Sequence, residues 1–358
     1  MVLNVGIVGC GLISEAHIKA WRKTPGFTVR GVIDTNTEQA RQRASEYKIA
    51  TVYDRLDQLI AECEVVDVCT PPQSHAAIAQ QAVAGGRHLV MEKPVVTDVA
   101  DWDRLARSVA EAHTKLCVIH NAKFLRSVQR AKRWVDDGRI GEVIRVHREF
   151  LTHASVDRML VGEGHWSHQL PGGRWFETMP HELYLTHWFA GPLELSSVTA
   201  LRTPNAPSGT RADEVVVVLR GERCIGTFQF SASCQQNRRT LTIQGTTGRI
   251  SVDLLSDFAS LSTQTDGKLK RAVGSPILDA GHTLLRAAPD RSRYGLERLQ
   301  GLQSPHLRII QALGKSLQGL GEEPTPFAEV DYAIRLGDKI AREIDRQVER
   351  QVERRSGS

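Results

Sequence analysis

Asn4-Val5-Gly6-Ile7-Val8-Gly9-Cys10-Gly11-Leu12-Ile13-Ser14 joins an apolar, β-rich run to the start of an amphipathic segment through two glycines one residue apart. That order is strand, tight turn, helix start, the context in which a G-x-G-x-x-G pattern carries meaning. Gly9 permits the turn, Gly11 lets backbone amides approach a pyrophosphate, and the helix N-terminus supplies partial positive charge to hold it. Ser14 stands for the third glycine, a small residue where helix and strand pack closely. Cys10, Leu12 and Ile13 complete the loop, so all five residues from Gly9 to Ile13 are cofactor-binding candidates.

Outward from this stretch, short β-rich runs alternate with longer amphipathic ones as far as about Ile119, the pattern of βαβ units and a parallel sheet. Strands are expected at Asn4 to Val8, Thr28 to Ile33, Val65 to Cys69, Arg87 to Met91 and Leu116 to Ile119. Helices are expected at Ile13 to Lys23, Glu38 to Tyr47, Ser74 to Ala84 and Asp98 to Ala112, with Ser74 and Asp98 as N-caps. Asp34 ends the second strand, where an acid accepts hydrogen bonds from the adenosine ribose and repels a 2′-phosphate. NAD is therefore expected over NADP. The other reading of Asp34 is an N-cap for the following helix.

Thr70-Pro71-Pro72-Gln73-Ser74-His75 closes another strand, and its two prolines fix the path of a loop that lines the same crevice. His75 reads equally as a cofactor contact or as a first-turn helix residue. Glu92-Lys93-Pro94 closes the apolar run His88-Leu89-Val90-Met91. The residue before a proline is pushed out of the helical region, so Lys93 stays in line with its strand at the end of the sheet where ligands sit.

After Asn121 the pattern changes, dividing the chain into a dinucleotide-binding domain (1–122), a substrate-binding and oligomerisation domain (123–346) and a charged tail (347–358). The second domain opens with a helix, Ser127 to Asp137, and a strand, Glu142 to Phe150. Antiparallel strands follow at Leu195 to Leu201, Glu214 to Arg220, Cys224 to Ala232, Arg239 to Gln244 and Arg249 to Leu254. Residues 256–304 read as a loop-rich insertion, and helices return at Pro305 to Gln318 and Ala328 to Arg346. A sheet with one solvated face invites self-association, so a homo-oligomer, dimer or tetramer, is expected through it. The tail repeats Gln-Val-Glu-Arg and reads as a solvated helix extension that frays.

Composition bounds the function classes. The 358 residues carry a net charge of +5, not gathered into a basic block, which argues against nucleic acid. No apolar stretch approaches the roughly 20 residues of a spanning helix, and no signal sequence opens the chain. Six scattered cysteines fit reduced thiols in the cytoplasm better than disulfides or a zinc site. No metal is expected.

The glycine loop with His17, Thr70-Pro71-Pro72 with His75, and Glu92-Lys93-Pro94 resemble, at these spacings, the Gfo/Idh/MocA oxidoreductases, named for glucose-fructose oxidoreductase and inositol dehydrogenase. Val135-Asp136-Asp137-Gly138-Arg139-Ile140-Gly141-Glu142-Val143 and the glycines before His181 extend the likeness over nearly the whole chain. The resemblance implies an α/β protein: an N-terminal Rossmann domain and a C-terminal α/β domain with a large, mainly antiparallel open sheet. It also implies tight NAD(P) and redox chemistry on sugars or cyclitols. Where the family places aspartate four residues before histidine, this chain has Glu177 and His181. Met179 replaces a frequent glycine, and Tyr184 a frequent second aspartate.

Oxidising a secondary alcohol needs a hydride acceptor and a group within hydrogen-bond reach that takes the hydroxyl proton. Lys93 and His181 are the candidates, His181 as base and Lys93 as polariser, with the reverse assignment also open. Glu177, on the same helical face as His181, would orient it or balance Lys93. Trp166, His168, Arg174 and Trp175 are candidate substrate contacts, as is Lys123; an aromatic cluster is also ordinary core. Asn121 and Glu92 are counted with the cofactor site. The expected activity is hydride transfer between nicotinamide and a secondary alcohol of a sugar, nucleotide sugar or cyclitol. The rivals are a glycosidase or epimerase that oxidises transiently with retained NAD, and a non-catalytic NAD-binding regulator.

Overall fold

Consecutive apolar side chains on a strand need cover on both faces, and the first part of the chain supplies it. The computed structural model describes residues 2–160, 164–207, 210–263 and 304–356. They fall into two compact units, Met1–Asn121 with Ser304–Asp338, and Ala122–Gln303 with Lys339–Ser358.

The first unit runs β1 (Leu3–Val8), α1 (Leu12–Trp21), β2 (Phe27–Ile33), α2 (Thr37–Tyr47), β3 (Thr51–Val52), α3 (Leu56–Glu62), β4 (Val65–Val68), α4 (His75–Ala84), β5 (His88–Met91), α5 (Val99–Glu111) and β6 (Leu116–Val118). All strands are parallel, in the order β3-β2-β1-β4-β5-β6. The order reverses between β1 and β4, which opens a crevice beyond their carboxyl ends. Val5, Ile7, Val65, Val66, Val68, Leu89, Val90 and Met91 are buried in this sheet. Asp67, at the same depth in β4, is the exception. The short β3 and α3 carry no strong periodicity and escape the sequence reading. Asp98 caps α5 through Ala100 N (2.6 Å), whereas Ser74 turns its hydroxyl to Thr70 and Pro71 and does not cap α4.

The stretch Ser304–Asp338, grouped by sequence with the second domain, clusters with the first unit. Leu307, Ile309, Ile310 and Leu313 of α8 (Pro305–Leu317) are buried, and α8 packs on α1. Lys115 Nζ also reaches the Ser316 carbonyl at 2.9 Å. The apolar stripe of α8 is legible in sequence; the surface it covers is not.

The second unit contains α6 (Arg126–Asp136), β7 (Val143–His153), α7 (Arg174–Ala190), β8 (Glu194–Leu201), β9 (Glu214–Arg220), β10 (Ile225–Ser231), β11 (Ser233–Gly245), β12 (Gly248–Asp253) and β13 (Phe258–Thr263). Its sheet has the order β13-β12-β11-β7-β10-β9-β8 and is antiparallel except for the β7–β10 pair. Period-two burial turns Val146, Arg148 and Phe150 of β7 and Phe228 and Phe230 of β10 to the interior. β13 lies in the range expected to be irregular; the remainder of that insertion, 264–303, falls outside the described residues.

The tail expected to fray instead continues a helix, α9 (Phe327–Ser356). Gln347 and Gln351, one turn apart on one face, dock on the edge strand β8. Gln347 accepts from Ala200 N (2.9 Å) and donates to the Val198 carbonyl (2.8 Å). Gln351 accepts from Arg202 N (3.0 Å) and donates to the Arg202 carbonyl (2.9 Å). Two glutamines thus close an edge that would otherwise present unpaired backbone groups. Among the described residues no helix is long and apolar enough to cross a membrane.

Candidate active site

In the first unit, Gly9 has φ +95°, and a Cβ there would lie 2.9 Å from the Cys69 carbonyl and from Thr70 Cγ2. The loops after β1 and β4 press together at this point, so only glycine fits. Gly11 is the N-cap of α1 with no side chain capping the helix, and a Cβ on it would meet nothing within 4 Å. Leu12 beside it is 84% exposed. An uncapped helix N-terminus facing open space fits a pyrophosphate. Ser14 is buried, its hydroxyl donating to the Gly11 carbonyl at 2.7 Å.

Asp34 accepts from Cys10 N on Oδ2 (2.6 Å) and from Asn36 N on Oδ1 (2.8 Å). The cap of α2 is Asn36, which accepts from Gln39 N, so the N-cap reading of Asp34 gives way. The carboxylate instead ties the glycine loop to the end of β2 and keeps lone pairs for ribose hydroxyls. Gln39 and Arg43 of α2 secure the loop from outside, donating to the Cys10 carbonyl (3.1 Å) and the Gly11 carbonyl (3.3 Å).

Beneath the Glu92-Lys93-Pro94 segment lies a buried charge network that the sequence did not disclose. His17 of α1 places Nδ1 2.9 Å from both oxygens of Asp67 and Nε2 3.1 Å from Glu92 Oε1. Trp21 Nε1 donates to Asp67 at 2.7 Å. Glu92 Oε2 accepts from Lys93 N (3.1 Å), and His306 at the start of α8 brings Nε2 to 3.4 Å from Glu92 Oε1 and 3.2 Å from Asn121 Nδ2. Burial, the largest single influence, would push His17 down, but the charge and hydrogen bond of Asp67 together with those of Cys69 outweigh it and hold the imidazolium well above the ordinary range. Burial alone would push Glu92 up, yet hydrogen bonds from His17 and His306 hold its carboxyl well below. His17, Glu92 and His306 have ligand atoms within 4.8 Å of one another, and His17 and His306 both approach Glu92 Oε1 in this network. Burial, then the Asp67 charge, pushes the neighbouring Cys69 thiol up to about 12, which rules it out as a nucleophile at neutral pH.

Lys93 itself is half-buried, and its peptide bond to Pro94 is cis. His75 is fully buried; its Nε2 lies 2.8 Å from the Thr70 carbonyl and its Nδ1 2.9 Å from the Pro94 carbonyl. It clasps the loops after β4 and β5 together, so the structural reading of His75 prevails over direct cofactor contact.

In the second unit, α7 aligns Arg174, Glu177, His181, Tyr184 and Trp188 at helical spacing. Arg174, 3% exposed, donates to Asp157 Oδ2 and Glu177 Oε2 at 2.9 Å each and to the Thr178 hydroxyl. This guanidinium is committed to an internal network, which corrects its assignment as an anion contact. Glu177 is drawn toward Arg174 by the same pairing. His181 Nδ1 meets Tyr184 Oη at 2.6 Å, and the buried Tyr184 oxygen accepts from Ala122 N at 3.0 Å.

Trp175 is fully buried, stacks on Phe230 (centroids 4.8 Å, 4°) and donates to the Ala212 carbonyl (2.7 Å). It is core, not a sugar platform. Trp166 is half-buried against Leu170, Phe176 and Ala341. His168 is buried and bonded through Nε2 to the Met159 carbonyl at 2.6 Å, which makes it a loop anchor. Lys123 is buried too, its ammonium 5.0 Å over the Trp188 ring. Asp67, His306 and Tyr184 are the residues that sequence reasoning missed as site components. A buried acid inside an apolar strand was the available signal for Asp67; His306 had none.

Comparison with known proteins agrees with both units. A family model described as an oxidoreductase family with NAD-binding Rossmann fold matches residues 3–120, and the GFO/IDH/MocA C-terminal domain matches residues 128–251. Oxidoreductase P35 of Formosa agariphila is 25% identical over 266 residues, covering 73% of this chain and 82% of the relative. Levoglucosan dehydrogenase of Pseudarthrobacter phenanthrenivorans is 25% identical over 283 residues, covering 69% and 73%. The structure of the WlbA dehydrogenase from Bordetella pertussis, in complex with NADH and UDP-GlcNAcA, superposes with a TM-score of 0.77 at 20% identity, covering 96% and 95% of the two chains.

Proposed function

The chain belongs to the GFO/IDH/MocA oxidoreductase family, and from that premise we propose that it transfers a hydride between nicotinamide and a secondary alcohol of a sugar, nucleotide sugar or cyclitol. The observation that carries this reading is Lys93, placed directly after β5 of an NAD-binding sheet with its backbone amide fixed by the Glu92 carboxylate. In the oxidising direction, His181 takes the hydroxyl proton and Lys93 polarises the oxygen. Gly9 to Ile13 would hold the pyrophosphate of NAD and Asp34 its adenosine ribose, and the nicotinamide so held would supply the hydride acceptor that the oxidation needs. Trp166, the less buried of the two tryptophans singled out, offers a flat apolar face to a sugar ring. The test is a panel of sugars, nucleotide sugars and cyclitols offered with NAD, read by the absorbance of reduced nicotinamide. Substrate turnover without net reduction would replace this reading with transient oxidation, and binding of NAD without any turnover would replace it with a regulator.

Asp34 sets the cofactor preference. Exchanging it for serine removes the charge that opposes a 2′-phosphate, so the ratio of NADP to NAD affinity is expected to rise about ten-fold, which corresponds to roughly 1.4 kcal/mol. Titration of both cofactors against D34S and the unaltered protein measures it; an unchanged ratio places the discrimination elsewhere.

The outer face of the second sheet is proposed as the oligomer interface. Val216 is 44% and Ile225 43% exposed there, beside Val218, Thr227, His147 and Thr242 in one register row. Light scattering of Val216→Glu against the unaltered chain is expected to show a smaller species; equal masses would remove this face from consideration.

A further inference from the structure

We propose that Tyr184 is the positioning residue for His181, its phenol oxygen accepting from Nδ1–H and so fixing the ring in the tautomer whose Nε2 lone pair takes the substrate proton. This rests on His181 being the base. A phenol oxygen has one proton to donate and two lone pairs. One lone pair receives Ala122 N–H at 3.0 Å, a contact that can run in only one direction. The 2.6 Å contact to His181 Nδ1 can run either way while the ring is neutral. It can run only one way once Nε2 has taken a proton, because an imidazolium donates from both nitrogens. Tyr184 is therefore the acceptor in the state that the reaction creates. If it also accepts beforehand, no rearrangement accompanies proton transfer.

The surrounding charges leave this role to the phenol. On α7, Glu177 pairs with Arg174, which also holds Asp157 from the segment after β7. Glu182, one residue beyond His181, pairs with Arg148 of β7. From the turn Asn121–Phe124, Lys123 places its ammonium over Trp188. Each of these carboxylates thus has a guanidinium partner, and the group on Nδ1 is a neutral hydroxyl. A neutral acceptor favours the imidazolium enough to help it form, while a carboxylate there would bind the proton more tightly. The reverse reaction, in which His181 returns the proton, benefits from that moderation.

The test is ¹⁵N NMR of the full chain labelled at histidine, with the His181 signals assigned by their loss in His181→Asn. The ring is expected as the Nδ1–H tautomer in the unaltered protein. In Tyr184→Phe it is expected to shift toward Nε2–H, with a titration midpoint lower by about one pH unit, because a hydrogen bond to the charged form is lost. An Nε2–H ring in the unaltered protein, or a midpoint that does not move in Tyr184→Phe, overturns the proposal. Should Tyr184→Phe fail to fold for want of an acceptor for Ala122 N–H, the unaltered spectrum alone decides. The spectrum reads no turnover, so it separates this inference from the base assignment, which fails if His181→Asn keeps full activity.

Discussion

Lys93→Met is expected to lower kcat/KM about a thousand-fold, within the range lost when a positioned acid-base group is removed, while leaving NAD affinity within a few-fold of the original. Methionine keeps the length and apolar stem of lysine and deletes the ammonium. The local frame has supports apart from that ammonium: the Lys93 amide donates to Glu92 Oε2, His17 and His306 approach Glu92 Oε1, and His75 ties the Pro94 carbonyl to the loop after β4. The glycine loop has its own supports in Asp34, Gln39 and Arg43. Binding and chemistry are thus separable at this residue. Steady-state turnover with NAD and the best alcohol of the panel, alongside fluorescence titration of NAD, measures both. Loss of less than ten-fold in kcat/KM would falsify the role of Lys93 as polariser, and a parallel loss of NAD affinity would make it a cofactor residue instead.

What the sequence disclosed follows how local each signal is. The glycine loop, Thr70-Pro71-Pro72 and Glu92-Lys93-Pro94 are legible because each lies within one turn that ends a strand, where backbone constraints select particular residues. The parallel sheet is legible for the same reason, through alternating periodicity. The partners of these segments lie far off in the chain: His306 reaches Glu92 across more than two hundred positions, and Gln347 reaches Val198 of β8 across 149. Helical spacing points from His181 to Glu177; packing adds Arg174 on the same face as a partner of that carboxylate, and Tyr184 one turn further on as a partner of the imidazole. The same spacing serves all of these pairings, so the sequence does not single one out. Trp175 illustrates the opposite error, since composition suggested a sugar platform where the fold needed a core residue for Phe230 to stack on.

Asp67→Asn is expected to cost about 3–5 kcal/mol of stability, the usual consequence of removing one partner from a buried ion pair. Asp67 is fully buried and accepts from His17 and Trp21. The amide that replaces it keeps the shape but turns a donor toward one of these donors, and it removes the carboxylate that favours the charged form of His17, leaving Glu92 as the remaining counter-charge. The pH dependence separates this from simple loss of packing. His17 has its folded pKa raised well above the unfolded value, so its contribution is full below about 6.5 and fades as pH climbs through the folded pKa. Glu92 has its folded pKa depressed, so its contribution is present above about 4.3 and is lost as pH falls through the folded value. The unaltered protein therefore has a stability plateau between these limits and a decline on its alkaline side. In Asp67→Asn the raised pKa of His17 relaxes, and the alkaline decline goes with it. Urea unfolding of both proteins at about pH 6 and about pH 9 is expected to give a larger difference at the lower pH, because only there does the unaltered chain hold the full His17 contribution. A difference that is the same at both would mean that Asp67 acts through packing alone, with the charge on His17 contributing nothing to the fold.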